Sequence, residues 1–158
     1  MIHPTQGTIA IQSFEERYAG NFEKLNRIWL ENYNLLEESD LPYLNSPYES
    51  IIAPGGQIFF AIDNWQVIGT SAAIKCGKNI EVAKLAVESS YQRKGVGRIL
   101  TETVLEYARS ISAEKVFLVS NSRLTPALKL YETLGFEYAS LPDRTAYESA
   151  DVYMELKL

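Results

Sequence analysis

The chain has 158 residues, 46% hydrophobic and 22% charged, with a net charge of −5, which predicts one domain over 1–158 and argues against a nucleic-acid partner, since phosphate neutralisation needs a basic face. Cys76 is the only cysteine and His3 the only histidine; a disulfide framework, a thiolate metal cluster and triad catalysis are therefore set aside, and no metal is expected. No apolar run approaches the ~20 residues of a membrane helix and Met1–Gln6 lacks signal-peptide regions, so the expectation is a cytoplasmic protein with no membrane partner.

Thr8–Phe14 alternates apolar and polar residues and predicts a strand. Asn21 is placed to cap a helix from Phe22 to about Tyr33, with Phe22, Leu25, Ile28, Trp29 and Tyr33 along one side. Leu35–Ser50, with Pro42, Pro47 and several acids, predicts a short helix plus loop. Pro54-Gly55-Gly56 is a turn signal before a strand at Gln57–Ile62. Asp63-Asn64 then predicts a hairpin turn into Gln66–Lys75, and Gly77-Lys78-Asn79 a second turn into Ile80–Val87, together an antiparallel meander. After Val87 the period changes, and Ile99, Leu100, Thr103, Val104, Tyr107, Ala108 and Ile111 recur at helical spacing. Lys115–Ser120 predicts a central strand. Thr125-Pro126 reads as an N-cap followed by a first-turn proline, and Gly135 as the terminating glycine. Phe136–Ala139 and Val152–Leu158 predict two last strands around a polar loop, Asp143–Asp151. Cys76 reads as a small buried hydrophobe, and His3 as part of a frayed terminus.

The sharpest feature is Gln92-Arg93-Lys94-Gly95-Val96-Gly97-Arg98, between a strand and a long amphipathic helix. Glycines let the backbone turn tightly, and the first amides of a helix lack internal partners. With about half a positive charge from the macrodipole, such a turn suits a pyrophosphate. The P-loop pattern is absent, and Leu100 stands where a dinucleotide fingerprint needs its third glycine.

Gln92–Gly97 fits the [RQ]xxGx[GA] signature and, with IEVAKLAV before it and the A..LY...GF block at Ala127–Phe136 after it, the chain resembles the Gcn5-related N-acetyltransferase (GNAT) superfamily. The resemblance implies an α/β (α+β) domain, with a mixed, mostly antiparallel central sheet of about six or seven strands flanked by about four helices. The fourth and fifth strands would splay at the CoA site. It implies acetyl-CoA as co-substrate and direct transfer to a primary amine of a small molecule or peptide. Leu85, Ala86 and Val87 would pair through their backbone with the pantetheine arm, and the amides of Arg93 to Arg98 would cradle the pyrophosphate beside Gln92. Tyr131 corresponds to the general acid that protonates the leaving thiolate, and Glu81 to a position where several members carry a base; Glu37, Glu38, Asp40 or no dedicated base are the alternatives. The asparagine that many members place before the A..LY block is Leu124 here, which leaves the earlier Asn121 as the CoA contact.

The resemblance also implies acceptor contacts from Trp29–Tyr48 and Asp143–Asp151, with Trp29, Tyr33 and Glu37 as candidates. Acids and aromatic rings there would favour a cationic amine. A homodimer is a further expectation carried by the resemblance alone. The rival reading is a non-catalytic acyl-CoA-binding or regulatory module on the same fold.

Overall fold

The computed structural model describes residues 9–142 and 147–158. His3, the start of the predicted first strand and part of the predicted polar loop lie outside the described residues. In chain order the elements are β1 (Ala10–Ser13), α1 (Ala19–Asn32), α2 (Leu41–Asn45), β2 (Gln57–Asp63), β3 (Gln66–Cys76), β4 (Asn79–Val87), α3 (Val96–Ser110), β5 (Lys115–Ser120), α4 (Thr125–Thr133), β6 (Glu137–Ala139) and β7 (Val152–Lys157). The strands form one seven-stranded sheet in the order β1-β2-β3-β4-β5-β7-β6. Only the central β4–β5 pair is parallel, joined by α3 as the crossover that a parallel connection requires.

Each face of the sheet has its own core. Ile80 and Val82 of β4, Val116 and Leu118 of β5 and Met154 of β7 pack with α3 and α4. Val96, Leu100, Thr101, Val104, Leu105 and Ala108 form the buried stripe of α3. On the other face, Ile58, Phe60, Ala72 and Ile74 pack with Phe22 of α1 and Leu44 of α2.

Several boundaries differ from the sequence expectations, and four of them have a clear local reason. α1 begins at Ala19, because a 3-10 turn at Glu16–Tyr18 runs straight into it and leaves Asn21 inside the first turn. The β2–β3 turn is Asn64-Trp65, both at positive φ (51° and 68°), while Asp63 still pairs with Gln66; that is the primed turn whose twist matches a two-residue hairpin. The 35–52 stretch holds a 3-10 turn at Glu38–Asp40, then α2, then a π-helical turn at Tyr48–Ile52. Thr125 is itself the first helical residue of α4, capped from the Leu124 position. Cys76 is also corrected: it is exposed, because it ends β3 beside the Gly77-Lys78 turn, at the margin of both cores.

Candidate active site

β4 and β5 pair only at Ile80–Val116 and Glu81–Phe117. Beyond those pairs the strands part, although β4 stays paired to β3 as far as Val87 and β5 to β7 as far as Ser120. The facing edges therefore carry backbone amides and carbonyls with no ladder partner, which an amide-bearing chain can use. β4 is also bulged: Ala72 opposes Ala83 while Thr70 opposes Ala86, so β4 carries one extra residue there. Lys84 sits in the bulge at φ +56°.

From the end of β4 the chain makes a 3-10 turn at Ser89–Tyr91 and enters the glycine loop. Arg93 has φ +64°, and Gly95 takes the cap position of α3 at φ +84°, a conformation glycine adopts without steric cost. Gln92 reaches back, its Nε2 donating to the Val87 carbonyl at 3.1 Å, which fixes the loop against the open strand. A Cβ on Gly97 would meet nothing closer than Leu130 Cδ2 at 3.5 Å. The protein's own packing therefore does not require that glycine, and the space above it belongs to a groove. The groove has a volume of about 360 Å³ and is lined by Leu85, Val87, Gln92, Arg93, Gly95, Gly97 and Arg98, with Tyr33 and Trp29 opposite. Arg93, Lys94 and Arg98 are all exposed, and Lys94 lies 5.7 Å from the ring centre of Tyr91. Unpaired helix amides, a smooth glycine floor and exposed cations fit a phosphate-bearing ligand.

α4 ends in a Schellman motif. The Phe136 N–H donates to the Tyr131 carbonyl at 3.0 Å and the Gly135 N–H to the Glu132 carbonyl at 3.0 Å, with Gly135 at φ +99°. Phe136 then packs edge-on against Tyr131, with ring centres 5.7 Å apart. The Tyr-x-x-x-Gly-Phe spacing is thus a helix cap that orients the tyrosine. Tyr131 is 7% exposed, and burial pushes its phenol up to about 12, so it stays protonated at neutral pH.

Glu81 and Tyr131 line a second cavity of about 130 Å³, which shares Trp29, Leu85, Leu124 and Ala127 with the groove. Burial raises the Glu81 carboxyl from 4.5 to about 7, although nearby Lys84 pulls it down. Asn26, Asp40, Lys84, Asn121 and Tyr147 also line this cavity.

The other candidates distribute as follows. Ala86 and Val96 are buried and line neither cavity. Asn121 lines the second cavity, with Nδ2 donating to the Ser149 carbonyl at 2.7 Å and Oδ1 accepting from the Arg123 backbone N–H at 2.9 Å. Trp29 stands at the junction of the cavities, its ring tilted 45° against that of Tyr33 with centres 5.0 Å apart, and Tyr33 faces the groove. Glu37 lines neither cavity. Its carboxylate accepts from the Glu148 N–H at 2.9 Å, the Ser149 N–H at 3.3 Å and the Ser149 hydroxyl. Burial opposes its charge, but those bonds and Lys84 outweigh burial and hold it below the usual carboxylate range. Glu38 is exposed. Sequence reasoning missed Asn26, Lys84 and Tyr147. Only Lys84 left a signal, as the one cation in the apolar run Val82–Val87.

Residues 7–136 match the model of the acetyltransferase (GNAT) family. N-acetyltransferase 8 of Mus musculus is 28% identical over 115 residues, covering 69% of this chain and 50% of that protein; the chain thus spans about half the length of that curated relative. A GNAT-family acetyltransferase from Staphylococcus aureus Mu50 has the same fold, with a TM-score of 0.85 at 18% identity over 95% of this chain and 99% of that one. The PaiA N-acetyltransferase of Thermoplasma acidophilum, solved in complex with coenzyme A, gives a TM-score of 0.76 at 16% identity over 96% and 99%. A family match that runs from before β1 through the glycine loop to the Gly-Phe cap of α4 leads to one assignment: the chain belongs to the GNAT family of acetyltransferases.

Proposed function

We propose that the protein is an acetyl-CoA-dependent N-acetyltransferase that passes the acetyl group directly to a primary amine of a small molecule or peptide. The observation that carries this reading is the pair of abutting cavities, one headed by the α3 amides and the other holding Glu81 and Tyr131. The coenzyme A bound by the PaiA relative supports the donor.

In this account the α3 amides, with Arg93 and Arg98, bind the phosphates, and the open edges of β4 and β5 hold the amide-bearing arm. An amine arrives as ammonium and must lose a proton before attack. Glu81, with its affinity raised to about 7, accepts that proton near neutral pH. The freed nitrogen attacks the thioester carbonyl, so the C–N bond forms as the C–S bond breaks. The second N–H proton ends on the departing sulfur: Tyr131 gives its phenol proton to the thiolate and is reprotonated by the proton that the nitrogen loses, so coenzyme A leaves as the neutral thiol, while Glu81 returns its proton to solvent. Asp40 and Glu37 are already committed to Lys84 and to Glu148–Ser149. Among the described residues, Glu81 is therefore the cavity carboxylate left to attract a cationic acceptor.

Release of the coenzyme A thiol over a panel of primary amines tests this reading. Tyr131→Phe is expected to lower kcat by roughly 100-fold or more, while the acetyl-CoA Kd by calorimetry stays unchanged. Acetyl-CoA binding with no amine-dependent release would favour the non-catalytic module.

A further inference from the structure

Ile80 and Val82 of β4 face α3, while Ala83 packs on the α1–α2 side and Glu81 shares that side. Strict alternation would send residue 84 toward α3, into an apolar core. The bulge reverses this: Lys84 is left-handed at φ +56°, and its side chain emerges on the Glu81 side, only 6% exposed. There its ammonium ion-pairs with Asp40, whose side chain is 2% exposed. It also donates to the Tyr147 hydroxyl at 3.0 Å and lies 5.5 Å from the ring centre of Tyr43 and 4.7 Å from that of Tyr147. Asp40 is held in turn by the Glu37 N–H at 2.8 Å. A buried ion pair is weak evidence for stability, and a left-handed non-glycine residue costs energy. Both features occur in the wall of the second cavity, three residues from Glu81.

The titratable groups that face Glu81 come from every neighbouring element. They are Lys84 on its own strand, Cys76 at the end of β3, Tyr43 on α2 and Tyr147 before β7, with Asp40 and Glu37 behind Lys84 and Tyr147. Farther along the sheet Lys115 is held by Glu155 at 2.8 Å. Among the described residues, Lys84 is the one cation acting on Glu81.

We propose that Lys84 is a positioning residue of the acceptor site: turned by the bulge and anchored by Asp40, it is the counter-cation that keeps Glu81 able to take the acceptor's proton. The kinetic consequence rests on the transferase reading; the electrostatic one does not. Without the cation, burial acts on Glu81 unopposed and the protonated carboxyl is favoured further. Without Asp40, the ammonium loses its partner and turns to Glu81, so the ionised carboxylate is favoured instead.

The experiment is a carboxyl-carbon NMR titration of the full chain, with the Glu81 signal identified by Glu81→Gln. Lys84→Met is expected to raise the Glu81 midpoint by on the order of one pH unit, and Asp40→Asn to lower it. The acid limb of kcat/KM for an amine acceptor should move in the same two directions. Midpoints unmoved in both variants, or moved the same way as a shared packing defect would move them, overturn the proposal. If Lys84→Met does not fold, Lys84→Arg should keep the wild-type midpoint while Asp40→Asn still lowers it, and any other pair of results overturns the proposal. A Glu81 that responds as expected in a protein without amine-dependent turnover defeats the transferase reading alone. An active enzyme whose Glu81 ignores both changes defeats this proposal alone.

Discussion

Glu81 ties the fold to proton chemistry because its strand position takes the carboxyl out of water. Its proton affinity, raised from 4.5 to about 7, means that the folded state prefers the protonated form. Stability from this group is therefore full below the unfolded value and is lost as pH rises through about 7. Each unit of pKa difference corresponds to about 1.4 kcal/mol. Glu81→Gln should then match the wild type near pH 4 and exceed it by roughly 1–3 kcal/mol near pH 9 in chemical denaturation. A constant difference across that range would place Glu81 in an ordinary solvated environment. The family resemblance singled out Tyr131 through the Leu-Tyr…Gly-Phe block and Glu81 on the strand before the glycine turn, and the fold brings both to one cavity. Lys84 was not, because its orientation depends on a one-residue bulge that exists only when β4 is paired with β3.

At the scale of elements, the joint between β4, the glycine loop and α3 makes the groove. Helical periodicity from Ile99 to Ile111 found α3 but missed its first turn, since the helix runs Val96–Ser110, and a β-rich run placed β5 at Lys115–Ser120. The segment between α1 and β2 was opaque, since its 3-10, α and π-helical turns are each too short to show a period. Its folding is set by long-range partners, among them Asp40 with Lys84 and Glu37 with Ser149. The Asn121–Ser149 hydrogen bond was hidden for the same reason, as it joins the end of β5 to a segment about 28 residues away. Gly97 offers an element-level test whose two readouts have opposite signs. Alanine there meets only ordinary contacts, Leu130 at 3.5 Å and Leu85 at 3.7 Å, and a helical glycine costs roughly 0.5–1 kcal/mol relative to alanine. Gly97→Ala should therefore raise or preserve the melting temperature while weakening acetyl-CoA binding about tenfold or more by calorimetry. Lost stability together with unchanged binding would remove the glycine from the ligand's path.

For the whole molecule, the net charge of −5 conceals a division of labour. Exposed Arg93, Lys94 and Arg98 gather at the head of α3, while Glu37 and Asp40 are engaged with Ser149 and Lys84 around the second cavity. Exposed charges act over about 10 Å at 0.1 M salt and about 3 Å at 1 M. The acetyl-CoA Kd should accordingly weaken several-fold across that range, with a shallower slope in Arg93→Ala; a salt-independent Kd would exclude the basic loop from phosphate binding. Composition alone turned the search away from triad and thiolate-metal chemistry, with one histidine and one cysteine in the chain. Order and spacing then identified the sheet and its glycine loop, while the electrostatics of the acceptor side emerged only from the three-dimensional pairing. The most direct test of the central claim is amine-dependent release of the coenzyme A thiol by the wild type and Tyr131→Phe, with the acetylated product followed by mass spectrometry. N-acetyl product is expected in step with thiol release, with a much slower rate in the variant despite equal acetyl-CoA affinity. Tight acetyl-CoA binding without product from any primary amine, or equal rates in the two proteins, would contradict the claim.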